Sequence, residues 1–244
     1  MSTRRPAALA ALLAALVVYG AAAELLPELP SDEIDVGFYA LVVLPAFAAA
    51  IWLALPIART GTKPLVLLAA ACGALAIVLT LLGIDSAANV AKLACYGLAG
   101  FAFLSLFEEL WWITLVAVLV PWVDIWSVAA GPTEYVVEER PGLFEQIAIA
   151  FPSPGETAVV NLGPPDIVFF ALFLAAADRF HLRVAATWIA MTGCLALTLA
   201  LVWWWDDVAG LPALPAVCMG FLAPNADLLW RDVRRVRARS SETG

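Results

Sequence analysis

Asn161-Leu162-Gly163-Pro164-Pro165-Asp166-Ile167-Val168-Phe169-Phe170 sets a carboxylate at the mouth of an apolar run, directly behind a Gly-Pro-Pro turn. A second carboxylate, Asp124, lies inside the preceding apolar run, in Pro121-Trp122-Val123-Asp124-Ile125-Trp126-Ser127-Val128. An ionised Asp at bilayer depth costs at least ~2.5 kcal/mol on insertion scales, so a chain that keeps one there marks a functional site. Two of them on consecutive helices read as a pair. Each also has a plainer reading. An Asp after Pro-Pro is an ordinary helix-start residue, and Asp124, close behind Pro121, reads equally as an interfacial residue.

The rest of the composition fixes the setting of that pair. The chain has 244 residues, 64% hydrophobic and 14% charged, with a mean hydropathy of +0.93. Globular chains run about 45–50% apolar and about 25% charged. The fold class that follows is all-α, a polytopic bundle of transmembrane helices. A β-barrel would need alternating apolar residues, and here the apolar runs are continuous. Cys72, Cys95, Cys194 and Cys218 all fall inside apolar runs and read as small packing residues. His181 is the one histidine and reads as a solvated loop residue, so the chain has little material for a metal site or a His-based mechanism. No cofactor and no nucleic-acid partner is expected.

Eight spans are legible, at about residues 6–23, 37–58, 65–84, 93–107, 110–130, 166–177, 184–205 and 208–222. The first follows Arg4-Arg5 and ends in Ala21-Ala22-Ala23, a pattern shared by a retained helix and a cleavable signal peptide. Residues 24–36 and 85–92 read as polar breaks, and residues 131–165 as a long acidic loop. Within that loop 143–151 suits a short interfacial helix, and 157–162 has strand character up to the Gly-Pro-Pro punctuation. Small residues (Ala94, Gly97, Ala99, Gly100, Ala102) give the fourth span a face for close helix packing. Residues 1–109 thus form a scaffold, 110–230 carry the two aspartates, and 231–244 form a basic tail.

Placing the loops on alternate sides puts eleven basic residues on one side (Arg4, Arg5, Arg59, Lys63, Arg179, Arg183 and the five of the tail) and only Lys92 and Arg140 on the other. The positive-inside rule then makes both termini cytoplasmic and the acidic loop external. The acids of the external side, Asp35 among them, are expected to be solvated.

Two carboxyls held close together share a proton. The charged one draws a proton from water while the neutral one donates to a substrate carbonyl, with no metal or cofactor. The arrangement resembles the GxGD-type intramembrane aspartyl proteases, the family of presenilin and signal peptide peptidase. Val123-Asp124 stands where that family has Tyr-Asp, and Gly163-Pro164-Pro165-Asp166, preceded by Leu162, stands where it has Leu-Gly-x-Gly-Asp. Pro212-Ala213-Leu214 matches its Pro-Ala-Leu motif, on the last span as in the family. The departures are Val123, which removes a phenol, and Pro165, which replaces a glycine and removes an N–H. The family's nine helices are also one more than the spans legible here.

The resemblance covers roughly residues 111–220. It implies a presenilin-like fold, catalytic Asp124 and Asp166, and support from Gly163, Pro164, Pro165, Pro212, Ala213 and Leu214. It also implies a strand at Val159, Val160, Asn161 and Leu162 that pairs with an unwound transmembrane substrate. The expected activity is endoproteolysis of transmembrane helices in a multi-pass, prokaryotic-type cell membrane. The bilayer and helical membrane proteins would be its partners. Two alternatives stand beside it. A silent relative would bind transmembrane segments without cutting them, as Val123 and Pro165 suggest. A proton-coupled transporter would use the aspartates as a relay, but the two halves of the chain show no repeat.

Overall fold

A computed structural model of the protein describes residues 4–130, 146–155, 160–204 and 213–242. The calls on Val159 and Pro212 lie outside the described residues. Helix α1 spans Arg4–Ala22. Helices α2 (Asp32–Phe38) and α3 (Leu44–Ala54) form one continuous rod through a π turn at Tyr39–Val43. Leu44 N–H reaches back to Tyr39 O just before Pro45, the residue that has no N–H to offer. A 3-10 segment, Leu55–Thr60, finishes the rod. Then come α4 (Thr62–Leu81), α5 (Asp85–Phe103) and α6 (Leu110–Ala130). A two-stranded ribbon, β1 (Ile149–Phe151) and β2 (Val160–Leu162), leads into α7 (Pro164–Arg179), α8 (Val184–Trp204) and α9 (Leu214–Glu242).

Among the described residues, six helical segments are long and apolar enough to cross a membrane: Arg4–Leu25, Asp32–Thr60, Thr62–Leu81, Asp85–Leu106, Leu110–Ser127 and Val184–Leu201. The protein is an all-helical, multi-pass membrane protein. Its outer faces, such as Leu67, Leu81, Trp122 and Ile189, carry large exposed apolar side chains that in water would have no cover.

The helix that starts at the Gly-Pro-Pro turn is the inner one. At 16 residues α7 is only about 24 Å long, and every residue from Phe170 to Ala177 is buried. It packs against α5, α8 and α9. The small face of α5 is what lets it in. A Cβ on Gly100 would meet Val168 O at 2.3 Å and Ala171 Cβ at 2.8 Å, so the two backbones touch there. On the other flank Phe173 stacks on Phe221 of α9 at 4.8 Å between ring centres. Gly220 lets α9 close onto α8, where a Cβ would meet Met191 Cα at 2.4 Å.

Tertiary contacts sort the loops into two ends. At one end Arg59 forks onto Asp178, with N···O distances of 2.8–3.0 Å. Arg179 donates there to Leu104 O at 3.2 Å, and Arg183 pairs with Asp227 at 2.7 Å. Arg183 also holds the exposed Asp227 carboxyl below the usual carboxylate range through its hydrogen bonds and charge. At the opposite end Tyr19 Oη–H donates to Pro152 O at 2.7 Å, and Gly155 N–H to Ala23 O at 2.8 Å.

Three expectations need correction. Residues 85–92 are no break, because α5 begins at Asp85 and its first turns face the ribbon. Residues 149–151 are strand, not interfacial helix, because α5 and β2 satisfy their backbone from both sides. Asp35 is buried at 6% exposure rather than solvated, close enough to Tyr19 to act on it electrostatically. The basic tail, expected from the sequence, continues α9 as helix past Pro224 to Glu242.

Candidate active site

Asp166 is the third residue of α7. Pro164 and Pro165 occupy the two positions before it, where a helix needs no N–H, so neither proline removes a helix hydrogen bond. The Asp166 side chain turns back to accept Gly163 N–H at 3.1 Å, while Asp166 N–H donates to Gly163 O at 3.2 Å. The helix-start reading is therefore correct as far as one carboxylate oxygen goes. Gly163 has φ −68° and ψ 148°, an ordinary extended conformation. Its small size matters for space, since a Cβ there would stand 3.2 Å from Asp166 Oδ2.

Asp124 reaches the same region from α6. Leu110, Ile113 and Ala117 of that helix are buried, Val120 is half-buried, and Asp124 follows at the same alternating spacing of three and four. This spacing makes one narrow seam, and Asp124 is its last member. Its neighbours Trp122 and Val123 are 71% and 62% exposed, on the outer face. Val123 thus points away from the seam that carries Asp124, on the exposed face of α6.

The seam packs along α9, and Asp124 Oδ2 accepts the Leu214 N–H at 3.1 Å. That N–H is the first of α9, one of the donors a helix start leaves unpaired. Ala213 caps the same turn, its carbonyl accepting Ala216 N–H and Val217 N–H at 3.1 and 3.2 Å. Asp124 and Asp166 stand within electrostatic reach of each other. Cys218, fully buried one turn beyond Leu214, is within reach of Asp124 as well. Sequence reading took Cys218 only as a small packing residue; the signal for its place here is its position four residues after Leu214.

The ribbon supplies the third component. Strands β1 and β2 pair antiparallel in the register Ile149 with Leu162, Ala150 with Asn161, Phe151 with Val160. The outer edge of β1 is covered by α5. Asn89 Nδ2–H donates to Ala150 O at 2.5 Å and Asn89 Oδ1 accepts Ala150 N–H at 3.4 Å. Lys92 donates to Ala148 O at 2.9 Å and Tyr96 to Ile147 O at 2.7 Å. Because both backbone groups of Ala150 point toward Asn89, Ala150 and Asn161 form a pair that is not hydrogen-bonded. The N–H and C=O of Asn161 therefore face the edge of β2 away from β1, which no other strand among the described residues pairs, two residues before Gly163. Sequence reading missed β1 and its Asn89–Lys92–Tyr96 ladder. The signal was three polar side chains at helical spacing in an otherwise apolar span.

Replacing Asn89 by Ala leaves a half-buried donor and acceptor of Ala150 without their partner. A loss of about 1–3 kcal/mol follows, read as a lower thermal midpoint in detergent and faster hydrogen exchange at β1.

The arrangement thus sets two carboxyls in mutual reach, one anchored at each of two helix starts, next in sequence to a strand edge that is unpaired among the described residues. Such a set can hold and polarise a water against an extended peptide. No family model, no curated protein and no solved structure matches the chain.

Proposed function

We propose that the protein is an intramembrane aspartyl endopeptidase that cuts transmembrane helices, with Asp124 and Asp166 as its catalytic pair. The observation that carries the reading is the anchoring of Asp124 by the Leu214 N–H of the Pro-Ala-Leu motif, with Asp166 in electrostatic reach. Three motifs far apart in sequence thereby share one place.

In the proposed reaction the ionised carboxylate takes a proton from water, and the hydroxyl oxygen attacks the scissile carbonyl carbon. The neutral carboxyl gives its proton to the carbonyl oxygen, leaving a gem-diol. Collapse of the diol breaks the C–N bond as the protonated carboxyl gives its proton to the nitrogen. The other carboxylate takes a hydroxyl proton from the diol, which restores the pair's single shared proton. A helical substrate hides its peptide bonds in its own hydrogen bonds. The edge of β2 away from β1, with Asn161 N–H and C=O outward, offers replacements by strand addition. Gly163, Pro164 and Pro165 tie that edge to Asp166, and Ala213 and Leu214, with Pro212 before them, support Asp124.

The proposal takes α7 and the first part of α9 as two further spans, giving eight, in a presenilin-like arrangement. Burial supports this for α7, since a helix enclosed by protein need not be long or apolar enough to face lipid alone. With the basic end inside, both termini are cytoplasmic and residues 131–165 external. The site then faces substrates whose own N-terminus is cytoplasmic, the direction of leftover signal peptides.

Purified protein in liposomes is expected to cut a single-helix reporter of that orientation and to be blocked by an aspartyl transition-state analogue. No cleavage under any lipid condition would leave the silent relative as the better reading. Orientation is checked separately by a reporter after Gly244 and a tag beside Glu145. The tag should be reached only from outside. A tag reached from the cytoplasm would reverse the substrate preference.

A further inference from the structure

We infer that the first helix is a permanent part of the protein and the clamp of the β1–β2 ribbon, not a leader removed at Ala21-Ala22-Ala23. In sequence, a charged start, an apolar run and small residues at its end fit both readings. The proposed orientation makes the choice a real one, since it puts Ala23 on the external side, where such leaders are cleaved. Retention follows from packing alone, and only its effect on substrate rests on the proteolytic reading.

Helix α1 meets the rest of the fold along one stripe, at helical spacing. Leu12 and Leu13 pack against the core, Leu16 is buried, and Ala23, in the 3-10 turn that follows the helix, has no exposed surface. Gly20 falls on the same stripe. A Cβ there would meet Ser86 Oγ at 2.9 Å and Phe151 Cε1 at 3.5 Å. The backbone of α1 therefore lies directly on the first turn of α5 and on the last residue of β1.

Two hydrogen bonds fasten the chain just beyond β1. Tyr19 Oη–H donates to Pro152 O at 2.7 Å, and Gly155 N–H donates to Ala23 O at 2.8 Å. Gly155 has φ +85°, and a Cβ there would stand 2.6 Å from Glu28 Cα. Glycine is needed on both counts: for the left-handed backbone and for the close approach. The chain that leaves α1 thus lies across residues 152–155 and closes over them.

Cleavage after Ala23 would need that bond extended and exposed. Instead Ala22 closes α1 and Ala23 opens a buried 3-10 turn. Removal of residues 4–23 would also uncover one side of the fully buried Phe151 ring, and would take from the half-buried Pro152 O and Gly155 N–H the partners they have. Backbone groups held away from water are nearly always paired. The clamp reaches the candidate site through the ribbon, because Phe151 pairs with Val160 and β2 runs on to Gly163 and Asp166. Under the proteolytic reading Tyr19 is a positioning residue, acting through Pro152 and the ribbon on the strand edge that receives substrate.

The test uses the full chain with a C-terminal tag, produced in a bacterial membrane whose signal peptidase is active. The intact mass of the purified protein should include residues 4–23; a chain beginning at Glu24 would overturn the inference. Tyr19→Phe keeps the ring beside Phe38, 5.8 Å between centres, and removes only the hydroxyl. Its β1 amides should exchange with deuterium about three- to tenfold faster than the native ones, the effect of one hydrogen bond. Unchanged exchange in a folded Tyr19→Phe protein would overturn the clamp. Where the native chain cuts a single-helix reporter, Tyr19→Phe should raise KM about three- to tenfold and leave kcat near native, since strand pairing holds the substrate and the carboxyls do the chemistry. A loss in kcat with KM unchanged would overturn the positioning role. A native chain that keeps residues 4–23 and loosens at β1 in Tyr19→Phe, but cuts no reporter, would leave this inference standing and sink the proteolytic reading.

Discussion

Asp124→Ala and Asp166→Ala are each expected to abolish cleavage of a transmembrane reporter, by at least about 10³-fold, because groups that act as a unit do not share the work additively. The two alanine variants are not equivalent structurally. Asp166→Ala also removes the acceptor for Gly163 N–H, a helix cap worth about 0.5–2 kcal/mol. Asp124→Ala frees Leu214 N–H at the start of α9. The asparagine variants separate the roles. Asp124→Asn and Asp166→Asn keep an oxygen to accept those N–H groups but cannot take up or hand on the shared proton. They should fold as the native chain does, with an unchanged thermal midpoint, and be as inactive as the alanine variants. Substantial turnover by either asparagine variant would end the two-carboxyl reading and leave both aspartates as helix-capping residues.

The two aspartates differ in how far the sequence announces them. Asp166 is legible because everything that places it is local: Gly163, two prolines where no N–H is needed, and an apolar run behind them. Asp124 is legible as an oddity, but its orientation is not, because α6 is apolar all round and its strongest surface features, Trp122, Val123 and Trp126, face outward. Only the sparse seam through Leu110, Ile113 and Ala117 separates the packed side from the lipid side. The ribbon was half legible. Strand character at Val160–Leu162 follows from residue type, whereas Ile149–Phe151 is a strand only because Asn89, Lys92 and Tyr96 meet its far edge from elsewhere in the chain. Such pairing is tertiary, and local propensity does not carry it. The same holds for Asp35. Its acidic surroundings in sequence suggested water, and the fold buries it within electrostatic reach of Tyr19 instead.

The small face of the fourth span was legible as a face, but not which of its residues matters, and there the structure makes a sharp expectation. Gly100→Ala should disrupt the bundle although alanine is the better helix former. A Cβ at Gly100 stands 2.3 Å from Val168 O and 2.8 Å from Ala171 Cβ, with Leu172 N at 3.1 Å. The first and last of these are backbone atoms of α7, so no rotamer change can make room. Helix α7 cannot retreat either, since Phe170 to Ala177 are packed on all sides, with Phe173 stacked on Phe221 behind it. Overpacking of this kind costs about 3 kcal/mol or more. Gly193→Ala is the matched comparison, because nothing lies within 4 Å of a Cβ there. In α8 it should gain up to about 1 kcal/mol from helix propensity. Thermal unfolding of both variants in one detergent gives the contrast: a marked fall in midpoint for Gly100→Ala, none for Gly193→Ala. Activity adds a second readout. Whatever shift of α7 relieves the clash also displaces Asp166 at its start, so under the proposed two-carboxyl mechanism any Gly100→Ala protein that folds should cut poorly. Equal stability of the two variants would mean that α5 and α7 do not meet backbone to backbone at Gly100.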